Sequence, residues 1–424
     1  MISHRRFVPI LYAAGLLAAW VLLMLLPAAA QTACARTEAR LQTVDGARVL
    51  YLRGAPYVRG YEYGRLLADD IRHALTRYLN VGIVKNWNVP RQHLEQAAAQ
   101  MEPYIPAEVR QEMRGIADGA GVSYEDILML NTHVDAVAHG ASDAPQAGGC
   151  SGVAVFGSRT EDGRVLHGHN VDWTTEEEVQ RHAVLLVIAP DDGIPFCMPT
   201  HAGLVCCNAG MNAAGITYSD MTSVSSDQRL AAMPLMVIAR MLLEKAGTLD
   251  QALDLLRQWP DTCGWNMIIT DAKGPDARAV EISAHHMKVF APGDPAENTR
   301  TGAALTEAIV RTNHFIDADM FALACKRFGV SFDEGVEMIG RDGTFQRYKA
   351  LQEWVRADRA PVRPQDILDW LGTPPVGNPG NLQSMVFDPT NQRLWIADAA
   401  ADGAPACDSR YSRVSLKPYF EHQR

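Results

Sequence analysis

A chain of 424 residues, 47% of them hydrophobic and 21% charged, carries enough apolar side chain for one large core or two ordinary ones. Its formal net charge of −10 argues against a polyanionic partner, and no nucleic acid is expected among its ligands.

The chain opens with His4, Arg5 and Arg6 before an apolar run from Phe7 to Ala30, which ends Pro27-Ala28-Ala29-Ala30 ahead of Gln31. That is the pattern of a secretory signal, residues 1–30, cleaved after Ala30. An uncleaved membrane anchor is the alternative, because the run is long enough to span a bilayer; Pro9, Pro27 and the small-residue ending favour cleavage. Gln31, Thr32 and Ala33 make a poor lipoprotein signal at Cys34. The body of the protein is therefore expected outside the cytoplasm, periplasmic or secreted, with membrane contact only if the segment stays as an anchor. Its removal takes away Arg5 and Arg6 and no acid, moving the charge from −10 to −12.

All eight cysteines lie beyond residue 30, where oxidation is permitted. Cys197 with Cys206 or Cys207 could close a hairpin. No Cys-x-x-Cys or His-x-x-x-His spacing occurs, so no metal and no cofactor is expected.

Up to residue 149 the pattern is mainly helical. Leu66, Leu67, Ile71, Leu75 and Leu79 recur at helical spacing, with Gly60 and Gly64 where helices could approach closely. Ser123 and Asp126 form a capping box for the run through Ile127, Leu128 and Leu130. From residue 150 onward short Val- and Ile-rich runs predict strands: "SGVAVFG", "RVLHGHNV", "AVLLVIAP", "GLVCCNAG", "GITYSD", "NMIITD", "RAVEIS", "HMKVFAP", "LQSMVFDP" and "RLWIADA". Glu161–Gly163 reads as a hairpin turn, and helices fall at "LAAMPLMVIARMLLEKAG", "TLDQALDLLRQW", "FALACKRFG" and "FQRYKALQEWVRA". Antiparallel strands broken by helix pairs predict an α+β protein with helices outside packed sheets.

The chemistry centres on "AGGCSGVAVFGSRTEDGRVLHGHNVDW", residues 147–173. A thiol is a nucleophile only as thiolate and needs a base; Cys150 has no histidine beside it in sequence. Scission of the Gly149–Cys150 bond would supply one, because the freed α-amine, with a pKa of roughly 8, can take the thiol proton. Gly148 and Gly149 would tolerate the strained backbone that attack by the cysteine on the Gly149 carbonyl requires.

These residues resemble the N-terminal-nucleophile hydrolases of the penicillin acyltransferase (acyl-CoA:6-aminopenicillanate acyltransferase-like) group, and more distantly the choloylglycine hydrolases and penicillin V acylases. Members begin their catalytic chain at a Cys and return on a strand ending Asn-x-Asp and an aromatic, here Cys150, Asn170, Asp172 and Trp173. The segments "VRGYEYGRLLADDI", "RGIADGAGVSYEDILMLN", "GMNAAGITYS" and "VRTNHF" extend the resemblance over most of residues 50–400.

The resemblance implies a four-layer αββα sandwich, a mainly helical α-chain or propeptide region at 31–149, and a catalytic β chain at 150–424. It implies Cys150 as nucleophile, Asp172 as the partner of its amine or thiol, and Asn313 as an oxyanion donor. Asn170, Arg347 and Thr222 are the possible substrate or oxyanion residues, with the segment Asp220–Thr222 as the place for a second donor. His169 stands where the choloylglycine branch has Arg, which speaks against bile-salt-like substrates. The function implied is hydrolysis of the amide bond of a small N-acyl compound or peptide through a thioester, by α and β chains cut from one precursor. Acyl transfer to an amine, a lipid amidase or phospholipase-B-like activity, and an uncleaved secreted binding protein on the same scaffold are the alternatives.

Overall fold

The computed structural model describes residues 37–140, 149–173, 178–205, 208–259, 261–341, 343–357 and 361–421. The expected signal segment, Cys34, Gly148, Cys206 and Cys207 lie outside these residues.

A hairpin, β1 (Glu38–Val44) and β2 (Ala47–Arg53), comes first. Five helices follow: α1 (Pro56–Leu66), α2 (Ala68–His73) continued by a wider π-helical stretch over Ala74–Asn86, α3 (Arg91–Met101), α4 (Ala107–Ala120) and α5 (Tyr124–Gly140). The Ser123 hydroxyl accepts from the Asp126 N–H at 3.1 Å and donates to the Asp126 carboxylate at 2.7 Å, the cap that the sequence predicts for α5.

Strands then dominate: β3 (Ser151–Gly157), β4 (Gly163–Asp172), β5 (Ala183–Ala189), β6 (Phe196–His201), β7 (Ala209–Asn212) and β8 (Ile216–Thr222). Helices α6 (Leu235–Lys245) and α7 (Leu249–Gln258) lead to β9 (Trp265–Asp271), β10 (Asp276–Ile282), β11 (Met287–Phe290) and β12 (Ala308–Arg311). Helices α8 (Ala318–Phe328), α9 (Phe332–Arg341), α10 (Thr344–Ala357) and α11 (Pro364–Gly372) precede β13 (Asn381–Asp388), β14 (Arg393–Asp398), β15 (Ser412–Ser415) and the short α12 (Lys417–Phe420).

Two sheets form, ordered β1-β2-β5-β6-β7-β8-β9-β10-β11 and β12-β3-β4-β13-β14-β15. Their inner faces share two apolar clusters. Val49, Tyr51 and Val187 of the larger sheet meet Met385, Phe387 and Ile396 of the smaller, and Met221, Ile268 and Ala279 meet Ala154, Phe156 and Val165. The outer face of the larger sheet is covered by α1–α5, α6 and α7, and that of the smaller by α10 and α11. The molecule is thus the α+β, αββα sandwich expected from its sequence.

The structure departs from the sequence reading in several details. Residues 38–53, within the region read as mainly helical, form the β1–β2 hairpin, and β2 runs parallel to β5 (Val49↔Leu185 to Arg53↔Ala189), so the region before residue 150 extends the larger sheet as well as covering it. The run "GLVCCNAG" is not one strand: Ala202–Val205 lie outside any strand, and β7 starts only at Ala209. Cys197 stands as a free, buried thiol, against its pairing with Cys206 or Cys207; Cys150, Cys263, Cys325 and Cys407 are free as well.

The glycines flagged at 60 and 64 have partners. A Cβ on Gly60 would lie 2.1 Å from the Glu112 carbonyl oxygen, and one on Gly64 2.3 Å from that of Ile116; Gly115 and Gly119 of α4 stand equally close to the Tyr57 and Tyr61 carbonyls of α1. Each helix presents two glycines four residues apart, and the backbones touch where side chains would otherwise intervene. Gly60→Ala forces α1 off α4 against rigid backbone, and a loss of about 3 kcal/mol is expected from such overpacking. Urea unfolding of the variant measures it.

Candidate active site

Cys150 directly precedes β3, and Asp172 ends β4. Antiparallel pairing of these strands (Ser151↔Asn170, Gly152↔His169) brings the two residues to one end of the smaller sheet. On the other side of β3, β12 pairs through Arg311↔Gly152, so Asn313, two residues past its end, arrives at the same place. Arg347 comes from the first turn of α10. Its Nε donates to the Ser151 hydroxyl at 3.2 Å and its Nη2 to Asn313 Oδ1 at 2.8 Å. Thr344 secures the join, its hydroxyl accepting the Asn313 N–H at 3.0 Å.

The residue before Cys150 is glycine for a reason visible here: a Cβ on Gly149 would lie 2.7 Å from Nη1 of Arg347. The guanidinium lies against the peptide that precedes Cys150, and only a hydrogen fits between them. Gly149 is not in the left-handed region, so the requirement is one of space.

Burial pushes the Cys150 thiol up to about 12; the charges of Asp172 and Asp220 add to that, while the Asp172 backbone N–H and Arg347 oppose it. The sulfur therefore rests as a thiol at neutral pH, and a base is needed to make a thiol a nucleophile. Burial also raises the Asp172 carboxyl, to about 6, against the pull of Arg347, Asn381 and Asn378. It lowers Arg347 against the attraction of Asp172 and Cys150. The opposite shifts on Arg347 and Asp172 share one cause, desolvation, which outweighs their mutual attraction; the guanidinium stays charged regardless.

Asn313 donates Nδ2 to the carbonyl of Thr222 at 2.9 Å, which leaves the second amide hydrogen of this half-buried side chain for another acceptor. Thr222, at the end of β8, is thereby joined to the site through its backbone. Asp220, two residues earlier, is buried, and burial raises its carboxyl well above the usual range; the Asn208 amide donates to it at 3.1 Å.

The structure gives Asn170 a different place. Fully buried, it donates to the Leu371 carbonyl at 2.9 Å and accepts from the Ser384 hydroxyl at 2.6 Å, so its amide is engaged beneath the end of α11. Expected as a substrate or oxyanion group, it holds the following loop instead. His169 lies buried between the sheets, pushed down to about 3 by burial and held neutral. His167 is likewise neutral, bonded to Thr217 and Ser219 at 2.6 and 2.8 Å.

The sequence reading missed two residues that touch Asp172. Asn378 donates to Oδ2 at 2.6 Å and Asn381 to Oδ1 at 2.8 Å. They flank Pro379 and Gly380, where Asn is ordinary turn chemistry, and nothing in the spacing ties them to a carboxylate over 200 positions earlier.

Residues 158–331 match the acyl-coenzyme A:6-aminopenicillanic acid acyl-transferase family. The chain is similar to an uncharacterized protein of Archaeoglobus fulgidus, 25% identical over 395 residues, covering 83% of this chain and 63% of that protein. It is also similar to the beta-alanyl-dopamine/carcinine hydrolase of Drosophila melanogaster, 31% identical over 137 residues, 30% of this chain and 34% of that one. The chain thus spans less than two thirds of the length of these curated relatives. Among solved structures, the Caenorhabditis elegans ortholog of N-acylethanolamine-hydrolyzing acid amidase matches at 18% identity and a TM-score of 0.41, over 57% of this chain and 93% of that one. The matched segment holds Asn170, Asp172 and Asn313, and it carries a similarity to the acyl-coenzyme A:6-aminopenicillanic acid acyl-transferase family that the motifs resemble.

Proposed function

We propose that this protein is an exported N-terminal-nucleophile hydrolase that cuts its own Gly149–Cys150 bond and then hydrolyses carbon–nitrogen amide bonds of a small N-acyl compound or peptide. The observation that carries the reading is the convergence of Cys150, Asp172, Asn313 and Arg347 at one end of the smaller sheet, with Gly149 packed on the Arg347 guanidinium. The hydrolase named among the relatives, the beta-alanyl-dopamine/carcinine hydrolase, agrees with amide hydrolysis in general.

In the first step the Cys150 sulfur attacks the Gly149 carbonyl, the C–N bond breaks, and the nitrogen leaves with a proton as the α-amine of Cys150. Water hydrolyses the resulting thioester and frees the Gly149 carboxylate. In the mature enzyme that α-amine takes the thiol proton, the thiolate adds to the substrate carbonyl, and the remaining Asn313 amide hydrogen stabilises the oxyanion, a contribution of roughly 3 kcal/mol. The ammonium, held by the Asp172 carboxylate, returns its proton to the leaving amine. Water then releases the acyl group as an acid and regenerates the thiol.

The test is the N-terminal sequence of the fragments of purified protein on a denaturing gel. A chain beginning Cys-Ser-Gly-Val is expected; a single uncut band whose Cys150 also resists alkylation would sink the reading. The family's own description as an acyl-transferase favours one second reading, acyl transfer to an amine. Adding a primary amine to the assay separates the two, since a transferase yields the new amide at the expense of the free acid.

A further inference from the structure

The carboxylate of Asp172 is held by one turn of chain, residues 376–381. Asn378 Nδ2 donates to Oδ2 at 2.6 Å and Asn381 Nδ2 to Oδ1 at 2.8 Å. Both amides are themselves fixed. Asn378 Oδ1 accepts the Gly380 N–H at 3.0 Å, and Asn381 Oδ1 accepts the Cys407 N–H at 2.8 Å. An N–H can only donate, so each amide must keep its oxygen towards that N–H and its NH₂ towards Asp172. The turn is tied to the strand end as well, through the Trp173 N–H to the Gly380 carbonyl at 2.8 Å.

This arrangement favours one protonation state. A neutral carboxyl needs an acceptor for its proton, whereas both fixed neighbours offer donors, which bind the ionised form better. The other ionisable groups that bear on Asp172 are Arg347 from α10, the Cys150 thiol at the start of β3 and the half-buried Cys407 thiol. Of these only Arg347 is a cation, and it also serves Ser151 and Asn313.

We propose that Asn378 and Asn381 are positioning residues that keep Asp172 ionised and aimed as the partner of the Cys150 α-amine. The proposal rests on the hydrolase reading above. The ionised carboxylate favours the thiolate–ammonium pair of the mature enzyme, so Cys150 reactivity falls on an acid limb as Asp172 takes up a proton. Removing a donor from the ionised form raises the carboxyl's pKa and moves that limb to higher pH.

The experiment follows alkylation of Cys150 by iodoacetamide in the mature two-chain protein from pH 4 to 9, read by mass on the Cys150 peptide. In the wild type the acid limb should be present, and Asp172→Asn should remove it. Asn378→Ala should shift it upward by about one pH unit, about tenfold in rate at a fixed pH on the limb. Asn381→Ala should shift it at least as far, and Asn378→Asp further still. Pro379→Ala, which leaves both amides in place, should not shift it. If Asn381→Ala does not fold, the two variants of half-buried Asn378 decide. A limb removed by Asp172→Asn yet unmoved in the asparagine variants overturns the clamp and leaves the hydrolase reading standing. A wild-type chain never cut at Gly149–Cys150 overturns both.

Discussion

Cys150→Ala is expected to give one polypeptide with no fragment beginning at residue 150, and no amide hydrolysis above background. Among the described residues the sulfur has no understudy. Cys197, Cys263 and Cys325 are buried elsewhere, and Cys407 lies beyond Asn381, its backbone N–H bound to that side chain. On the proposed mechanism the same atom is needed twice, once to break the Gly149–Cys150 bond and once in every turnover, so its loss removes both processes together. Deleting a nucleophile of this kind costs roughly 10⁶-fold in rate. Cys150→Ser separates the two uses: a hydroxyl is a weaker nucleophile at neutral pH, so slow cleavage over days is expected where alanine gives none. Intact mass and N-terminal sequencing at intervals after purification check both variants. Prompt cleavage at 149–150 in Cys150→Ala would transfer the self-cutting to another residue.

The hairpin at the candidate site was legible in the sequence because three local signals agree there. Glycines precede a thiol, Val-rich alternation marks β3, and Glu161–Gly163 makes the turn into β4. Asn313 and Arg347 came from the family resemblance, and the structure brings both to the thiol's end of the sheet. Asn170 shows the limit of such motifs: two residues from Asp172 in the same strand, it reaches under α11 to carbonyls that no local pattern reveals. Asn378 and Asn381 were hidden for the converse reason, since their partner is remote and their local setting is a plain turn. Strand β6 escaped because Pro199 argues against a strand; beyond Cys197 it pairs only with β5, and a strand with one open side accommodates proline. The β1–β2 hairpin escaped because its first strand, "EARLQTV", is an exposed edge without strong apolar alternation.

Glu112→Ala is expected to lower stability by about 3–5 kcal/mol, a large part of the roughly 5–15 kcal/mol that folded domains possess. Glu112 is fully buried on α4 between two arginines. Arg59 of α1 donates to it at 2.5 Å, and Arg240 of α6 makes a two-pronged contact at 2.9 and 2.8 Å. Burial acts to raise its pKa, but the charges of Arg240 and Arg59 win and hold it below the usual range, so it stays ionised. Without it Arg59 keeps the Gly54 carbonyl at 3.3 Å, and Arg240 keeps the Val205 carbonyl at 3.0 Å and Glu244 at 3.7 Å. Arg240 then retains a carboxylate, whereas Arg59 retains a carbonyl. Glu112→Gln, which retains one acceptor oxygen and the packing, should lose less. The site also bears on the proposed maturation, because a cut at 149–150 would leave Glu112 in one chain and Arg240 in the other. The contact then becomes one of the links between chains, beside the parallel pairing of β2 with β5 and the Leu235 N–H donated to Asp135 at 3.1 Å. In urea the variant should unfold at a lower denaturant concentration, and its two fragments should separate on size exclusion before those of the wild type. An unchanged midpoint would mean that the carboxylate offsets only its own cost of burial.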